Sequence, residues 1–561
     1  MTEETDVERE PFFNLVDEPW IPVLDAGGTT REVSLRQVFH QSGDLVTLTG
    51  ELPTQSVAIL RVLLAVLHRA VQGPRDIDEW REVRDHWEDT LEDCDQYLDE
   101  WHDRFWMQHS VHPFMQVPGL HTAKDEVFAL SRILSDGSGS SSFMSTRLNE
   151  NLTTLSWSEA ARWLIHVHAY DVSGIHSGAV GDPRVRGGKG YAIGTGWAGQ
   201  LGVVYLQGST LRETLILNLI APSFVEINSH GDGDSPVWER EALSELPEGW
   251  ISNAGANQHY RQPTGPVDLY TWPSRRIRLF GNSSVVTGVI NAQGDKATPQ
   301  NRHVLEPMTS WRYSEPQTKK LGTATYMPLT HQPERSLWRG VNSLLPNSSH
   351  KVQSSGPALR LPPALTKWAS LISSHSEAPM VCYQSVGISY GTQESVIEEI
   401  WLDSLEIPSA ILTNERLSGT VIEAVDIAQK AVAALGNLAQ NVALASGGSG
   451  DDDSPRTEAN SRGYAMLDIA FREWVRHLTD ANSESDQRIH WQESVLQLVT
   501  EMGNEIVDTA GPAALVGRTA QGQFRDAGLA LVWFRKKLRD VLPLALVNQK
   551  SSTEKEEVSK E

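Results

Sequence analysis

The chain is predicted to be α+β: a large mixed α/β N-terminal domain over residues 1–405, then an all-α four-helix bundle over residues 406–547. Two observations predict this. Up to about Pro408, short strand-like runs alternate with helical patterns and frequent Gly/Pro turns. Beyond it the strand signals stop, and four amphipathic stretches follow one another. Residues 548–561 are charged and nearly free of apolar side chains, so they are expected to form a disordered tail.

The elements read as follows. Phe13-Asn14-Leu15-Val16 is a strand, Asp17-Glu18-Pro19 a turn, and Trp20-Ile21-Pro22-Val23 opens a second short strand. Ser56 to Val71 is interrupted by Arg61, His68 and Arg69, and reads as a mostly buried helix. Between Asp76 and Asp103, acidic residues interleave with Trp80, Trp87, Tyr97 and Trp101, the pattern of an amphipathic helix with a solvated acidic face. Further strands are expected at Gly202–Leu206, Ile277–Phe280 and Met380–Tyr383, with polar loops at Ser135–Ser142, Ser229–Ser235 and Asn291–Asn301. The bundle helices are expected at Thr420–Ala445, Glu458–Leu478, Asp486–Ala510 and Arg518–Val541. A Ser/Gly/Asp linker, Ser446–Ser454, separates the first two, and Gly511-Pro512 punctuates the last two.

Length and composition set the function classes. At 561 residues, with 39% hydrophobic and 21% charged, this is an ordinary globular composition with room for two to four domains. No apolar run reaches the roughly 18 residues a membrane span needs, so no membrane partner is expected. The acidic start is followed by no signal-peptide core, and a cytoplasmic location is expected. Cys94 and Cys382 lack CxxC spacing and read as buried free thiols. The net charge of −24 excludes a free-standing basic nucleic-acid binder. DNA contact, if made, must be local to a few loops, with basic partners or bound RNA organising the rest.

Enzyme signatures are weak. Gly194-Thr195-Gly196-Trp197-Ala198-Gly199 matches GxGxxG, but a strand follows it where a dinucleotide site needs a helix. No phosphate-binding lysine loop and no GxSxG elbow occur. His109 with His112, and His166, His168 with His176, could face a metal, but only Asp171 lies nearby as a carboxylate. Core or interface histidines are the expectation, and a metal-dependent hydrolase is the alternative. No cofactor is expected. Arg186-Gly187-Gly188-Lys189-Gly190-Tyr191 is a glycine-dense loop whose missing Cβ atoms would let backbone N–H groups approach a groove or phosphate. Phe143 lies in a Ser/Gly loop, where an aromatic must either pack or stack.

Three segments in order, Phe13–Val23, His112-Pro113-Phe114-Met115-Gln116 and Leu211-Arg212-Glu213-Thr214-Leu215-Ile216-Leu217-Asn218, resemble the large subunit (CasA family) of the type I-E CRISPR Cascade complex. The resemblance implies a non-catalytic subunit that recognises the protospacer-adjacent motif (PAM) in double-stranded DNA. It would help start strand separation and R-loop formation, and offer a docking surface to a helicase-nuclease. The implied partners are the other Cascade subunits, the guide crRNA, PAM-containing duplex and the recruited helicase-nuclease. Residue by residue, the resemblance places the PAM-reading loop on Gly187, Gly188, Lys189 and Gly190. It places the strand-opening wedge on Gln393, flanked by Gly391 and by Thr392, where the family pattern would lead one to expect Asn. The lysine finger falls on Lys296, with Arg302 the competing cation, and a DNA-backbone pair on Lys319 and Lys320. Phe143 falls on the loop that touches the 5′ handle of the guide RNA. A structural scaffold without DNA contact remains the second alternative.

Overall fold

The computed structural model describes residues 10–134, 153–228, 233–248, 261–332, 334–346, 357–374 and 379–545. The expected loop at Ser135–Ser142 and the expected tail at 548–561 lie outside the described residues. Two compact units are formed, one within Met1–Arg335, Ser349–Ile372 and Cys382–Ser404, the other within Ser336–Ser348, Ser373–Val381 and Leu405–Glu561.

The first unit opens as its sequence predicts. In β1 (Phe12–Asn14), the Asn14 side chain accepts the Val16 amide at 2.9 Å, and its carbonyl accepts from Asp17 and Glu18, closing the acidic turn. Trp20 is fully buried and donates its Nε1 to the Leu15 carbonyl at 3.0 Å. β2 (Ile21–Asp25) then runs between β3 (Thr30–Val33) and β4 (Leu45–Leu48) in an antiparallel sheet. Between β3 and β4, α1 (Leu35–His40) starts from a reciprocal capping box of Ser34 and Gln37.

α2 (Pro53–Ala70) is buried around most of its circumference, including the position the sequence marks as an interruption. Arg61 forms a two-pronged pair with Glu306 (Nη1–Oε1 3.1 Å, Nη2–Oε2 2.8 Å), and Trp197 Nε1 gives the same carboxylate a third bond at 2.8 Å. Burial alone would lower the Arg61 pKa, but the Glu306 charge outweighs it and the guanidinium is held protonated. The acidic stretch forms two helices, α3 (Ile77–Asp85) and α4 (Trp87–Glu100). Trp80, Trp87, Tyr97 and Cys94 point inward, while Asp78, Glu82, Asp85, Glu88, Asp89, Glu92, Asp93, Asp99 and Glu100 remain exposed. Burial pushes the Cys94 thiol pKa up, so it stays protonated, and Cys382 is a half-buried free thiol.

β5 (Trp106–Gln108) pairs with β1. α5 (Trp157–Tyr170), capped by Ser156, carries buried His166 and His168. The next strands, β6 (His176–Ser177) and β7 (Lys189–Gly190), pair antiparallel with each other. β8 (Val203–Gln207), α6 (Leu211–Asn218) and α7 (Pro266–Tyr270) follow. β9 (Arg275–Gly281) and β10 (Val286–Gln293) complete a four-stranded sheet of order β7-β6-β10-β9, in which β6 and β10 are parallel. Asn291–Gln293 therefore belongs to β10, and the polar loop expected from Asn291 starts only at Gly294; β pairing with Arg275–Ile277 satisfies those amides. β11 (Trp311–Tyr313) is flanked by β12 (Tyr326–Pro328) and β13 (Arg360–Leu361), with α8 (Glu315–Leu321) between β11 and β12. After α9 (Ala364–Ser373), the long strands β14 (Met380–Tyr390) and β15 (Ile397–Pro408) form a hairpin whose β14 pairs with β8.

In the second unit, α10 (Ser409–Thr413) leads into α11 (Glu415–Ser446), capped by Asn414 and ended by Gly447 at φ +106°. α12 (Ser454–Arg476) and α13 (Glu484–Asp508) pack on it around Trp338, Phe471, Trp474 and Trp491. Trp338 stacks on Phe471 at 4.9 Å, and Trp491 donates to the Ala424 carbonyl at 3.0 Å. The fourth helix departs from expectation. α14 (Pro512–Val516) stops at Gly517 (φ +73°), and Arg518–Arg525 forms a hairpin of β16 (Arg518–Ala520) and β17 (Gln523–Arg525). Its turn, Gln521-Gly522, has positive φ at both residues, the geometry that matches strand twist. Only then does α15 (Ala527–Val541), capped by Asp526, complete the four-helix bundle. Among the described residues, no helix is long and apolar enough to cross a membrane.

Candidate nucleic-acid interface

The glycine-dense loop is a tight hairpin. Arg186 and Lys189 exchange both backbone hydrogen bonds, at 3.0 and 3.1 Å, around Gly187 (φ +57°) and Gly188 (φ +74°). Positive φ at both central residues is the turn that Gly-Gly supplies without strain. The Gly188 carbonyl points inward and accepts from Gly178 at 3.2 Å, whereas the Gly187 and Gly188 amides donate to nothing among the described residues. An added Cβ on either glycine would meet nothing within 4 Å, so the surface above the turn is open. Lys189 is exposed, and Gly190 is buried against Gln293 and the Ser177 carbonyl. Arg186 is exposed but spends Nη1 on the Pro183 and Val185 carbonyls at 2.8 and 3.0 Å.

The second element is the tip between β14 and β15. Gly391 donates to Val396 and accepts from Glu394, and Ser395 Oγ caps the Thr392 carbonyl at 2.8 Å. Gln393 and Glu394 sit at φ +59° and +56°, the left-handed region, which costs a non-glycine residue about 1 kcal/mol or more each. Thr392, Gln393 and Glu394 are all exposed, so no burial of their own side chains repays that strain.

These two elements share one support, the segment from Tyr170 to Ser177. Tyr390 donates its hydroxyl to the Tyr170 carbonyl at 2.7 Å, and the Glu394 carbonyl accepts the Ser173 amide at 2.7 Å. At the far end of the segment, His176 pairs with Gly190 and Ser177 with Lys189. The segment is pinned from below by Asp171, whose Oδ2 accepts from Arg275 Nε at 2.6 Å and Asn291 Nδ2 at 3.2 Å. Burial disfavours the Asp171 carboxylate, yet the Arg275 charge and the hydrogen bonds from Arg275 and Asn291 hold its pKa below the usual carboxylate range. Arg275, fully buried, also donates to the Val172 and Gly194 carbonyls at 2.8 and 3.0 Å. The GxGxxG run serves the same packing, because an added Cβ on Gly196 would lie 2.5 Å from Ala169 backbone and one on Gly199 would collide with the Tyr390 hydroxyl.

The cations expected to act with them come from the loop after β10 and from α8. Lys296 follows β10 by three residues and is half-buried, next to Asp295, which pairs with Arg276 at 2.7 Å. Arg302 donates to the Thr298 carbonyl at 3.0 Å and to the Gln262 side chain. Lys319 and Lys320 lie exposed on α8, and Lys319 pairs with Glu315 at 2.8 Å. The strand after α8 reaches the loop after β10 through Asn301, which exchanges bonds with Tyr326 at 2.7 and 2.9 Å. Phe143 lies outside the described residues. Arg132 has no counterpart among the residues the sequence singles out: it lies over the Phe128 ring at 3.8 Å and donates to Ser177 Oγ at 3.3 Å, beside Lys189. Nothing in its local sequence marks it.

The histidines are packed into the fold. His166 bonds Thr54 at 2.9 Å, His168 bonds the Met115 carbonyl at 2.9 Å, and His109 Nδ1 accepts the His112 amide at 2.8 Å. Burial lowers the pKa of His166 to about 3 and of His168 and His176 to about 4. Among the described residues no three His, Cys, Asp or Glu side chains converge as a metal site.

Comparison with known proteins bears on what the arrangement is. The family model of the CRISPR-associated protein Cse1 matches residues 14–502. CasA/Cse1 of Thermus thermophilus is 29% identical over 349 residues, a match that spans 61% of this chain and 61% of that relative's length. The crystal structure of Thermobifida fusca Cse1 superposes with a TM-score of 0.86 at 39% identity, covering 95% of this chain and 99% of that one. Cse1 from Acidimicrobium ferrooxidans gives 0.76 at 26% identity, covering 96% and 98%. With the family pattern running from Asn14 to Met502 and the fold shared over almost all of both chains, the protein belongs to the CRISPR-associated Cse1 family, the CasA family of large type I-E Cascade subunits.

Proposed function

We propose that this chain reads the PAM in double-stranded DNA and starts strand separation for an RNA-guided complex, without catalysing a reaction itself. The observation that carries this is the pairing of an open Gly187-Gly188 turn with a strained Gln393 tip on one support. The two unengaged glycine amides are donors, and the minor groove presents acceptors at every A·T pair. Minor-groove readout is degenerate, so several PAM sequences are tolerated. Lys189 and Lys296 add positive charge at the groove, Lys319 and Lys320 hold the phosphate backbone, and guide pairing reads the remaining sequence. Gln393, with Gly391 and Thr392 beside it, enters the duplex next to the PAM. Opening one step costs about 1.4 kcal/mol of stacking, which a tip held by its own backbone and by PAM contacts can offset.

In this proposal residues 1–405 carry the DNA and RNA contacts, with Phe143 on the 5′ handle of the crRNA, residues 406–547 form the bundle, and 548–561 a tail. The other Cascade subunits and the crRNA supply the basic surface that a chain of net charge −24 lacks. A helicase-nuclease docks on the assembled complex, in the cytoplasm. The test is a gel-shift titration of the crRNA-loaded core complex, with and without this chain, on PAM-containing and PAM-scrambled duplexes. Tight binding restored only on the PAM duplex supports the proposal; no change in affinity on either duplex refutes it.

A further inference from the structure

The Tyr170–Ser177 segment is contacted from both sides by elements that would touch DNA. On one side it takes the Tyr390 hydroxyl at 2.7 Å and offers the Ser173 amide to Glu394 at 2.7 Å. On the other, its last two residues form the ladder with Lys189 and Gly190. Gln293 closes the same circuit from β10, donating to the Gly174 carbonyl at 2.9 Å and the Gly190 carbonyl at 3.4 Å. Only Gly391 and Thr392 separate Tyr390 from Gln393, and only Val172 separates Asp171 from Ser173.

We propose that Tyr390 and Asp171 are positioning residues that couple the glycine loop to the Gln393 tip, so that a duplex seated on the loop meets the tip at a fixed spacing. This rests on the PAM-reading proposal above. Backbone strain at Gln393 and Glu394 supports it, because a strained turn holds its shape only where its surroundings over-determine it. The surroundings here are Tyr390, wedged against Gly199, and the Ser173 amide. Asp171 acts one layer down. Its bond to Arg275 clamps the segment between α5 and β9, and Arg275 in turn holds the Val172 and Gly194 carbonyls.

The test is Tyr390→Phe in the assembled complex, alone and combined with Gln393→Ala. Two steps are followed: association with a PAM duplex mismatched in the seed, and opening of a matched duplex by permanganate reactivity of the PAM-proximal thymines. Losing one hydrogen bond of ordinary net worth predicts opening slowed by about threefold to tenfold, with association within about twofold of the parent. On the Gln393→Ala background the same substitution should slow opening no further, since the positioned group is already gone. Hydrogen exchange at the Ser173 amide should quicken in Tyr390→Phe, a readout that wedge chemistry alone would not move. Additive slowing in the double variant, or normal opening in Tyr390→Phe where Gln393→Ala is slow, overturns the coupling. Normal opening in Gln393→Ala itself overturns the wedge, and the coupling falls with it for that separate reason. Asp171→Asn is the harsher companion, because it strips Arg275 of its charge partner; Tyr390→Phe, which keeps the ring on Gly199, is the deciding variant.

Discussion

Replacing Gly188 distinguishes two reasons for a glycine at the proposed PAM loop. Its φ of +74° costs an L-residue about 1–2 kcal/mol, except that Asn visits this region routinely. Its added Cβ would meet nothing within 4 Å, so neither Ala nor Asn is excluded by the protein itself. The backbone term alone predicts that Gly188→Ala weakens PAM binding by roughly fivefold to thirtyfold and that Gly188→Asn is nearly neutral. If the backbone must enter the minor groove, any side chain lifts the two free amides off their acceptors. That loss is about 1–3 kcal/mol, on the order of fivefold to 150-fold, and Asn then loses it as Ala does. The structure, with both amides unengaged at an open turn, predicts the second outcome: both variants bind the PAM duplex more weakly, Ala most, with binding to scrambled duplex unchanged. The assay is the gel-shift titration at one fixed salt concentration, with Kd read for each duplex. A Gly188→Asn complex that binds the PAM duplex like the parent would refute the close-approach argument.

Gln393→Ala should slow R-loop formation more than it weakens initial association; equal loss in both steps, measured by stopped-flow on matched and seed-mismatched duplexes, counts against a wedge. Lys319→Ala with Lys320→Ala should weaken binding to every duplex and flatten the log–log salt slope by up to about 1.8, and a loss confined to one PAM contradicts a phosphate role. Arg61→Met should destabilise the first unit by about 3–5 kcal/mol, because among the described residues it leaves buried Glu306 with Trp197 and the Met308 amide as its remaining hydrogen-bond donors; an unchanged denaturation midpoint would show the pair to be dispensable. His68, His166 and His168 are buried with pKa values lowered to about 4, 3 and 4, so each takes up its proton on unfolding. Their contribution is full above about pH 6.5 and is lost as pH falls toward 4, roughly 4 kcal/mol for the three together at pH 5.5. Equal guanidinium midpoints at pH 7 and pH 5.5 would refute this.

Local patterns were legible and long-range pairings were not. The Asp17-Glu18-Pro19 break and the linker between the first two bundle helices at Ser446–Ser454 follow from turn and breaker chemistry within a few residues. The hairpin at Arg518–Arg525 was missed because its strands are three residues each, too short for a period-2 signal, although Gly517 and Gln521-Gly522 mark the break. At the candidate interface, the glycine turn was legible in its own residues, whereas the Gln393 tip was named only through the family resemblance. Asp171 and Arg275 lie 104 residues apart, and Arg61 and Glu306 lie 245 apart. No spacing rule joins such residues; only the packing of α5 on β9 and α2 on the loop before β11 does.

If the proposed DNA-reading role holds, the outward acids of α3 and α4 would bear on how a target is found. Sliding along random duplex depends on cations that stay close to phosphates, and each such contact lengthens the stay. A face carrying Glu82, Asp85, Glu88, Asp89, Glu92 and Asp93 pushes the opposite way. Under the proposed DNA-reading role, such a face would shorten the stay on duplex that lacks the right groove.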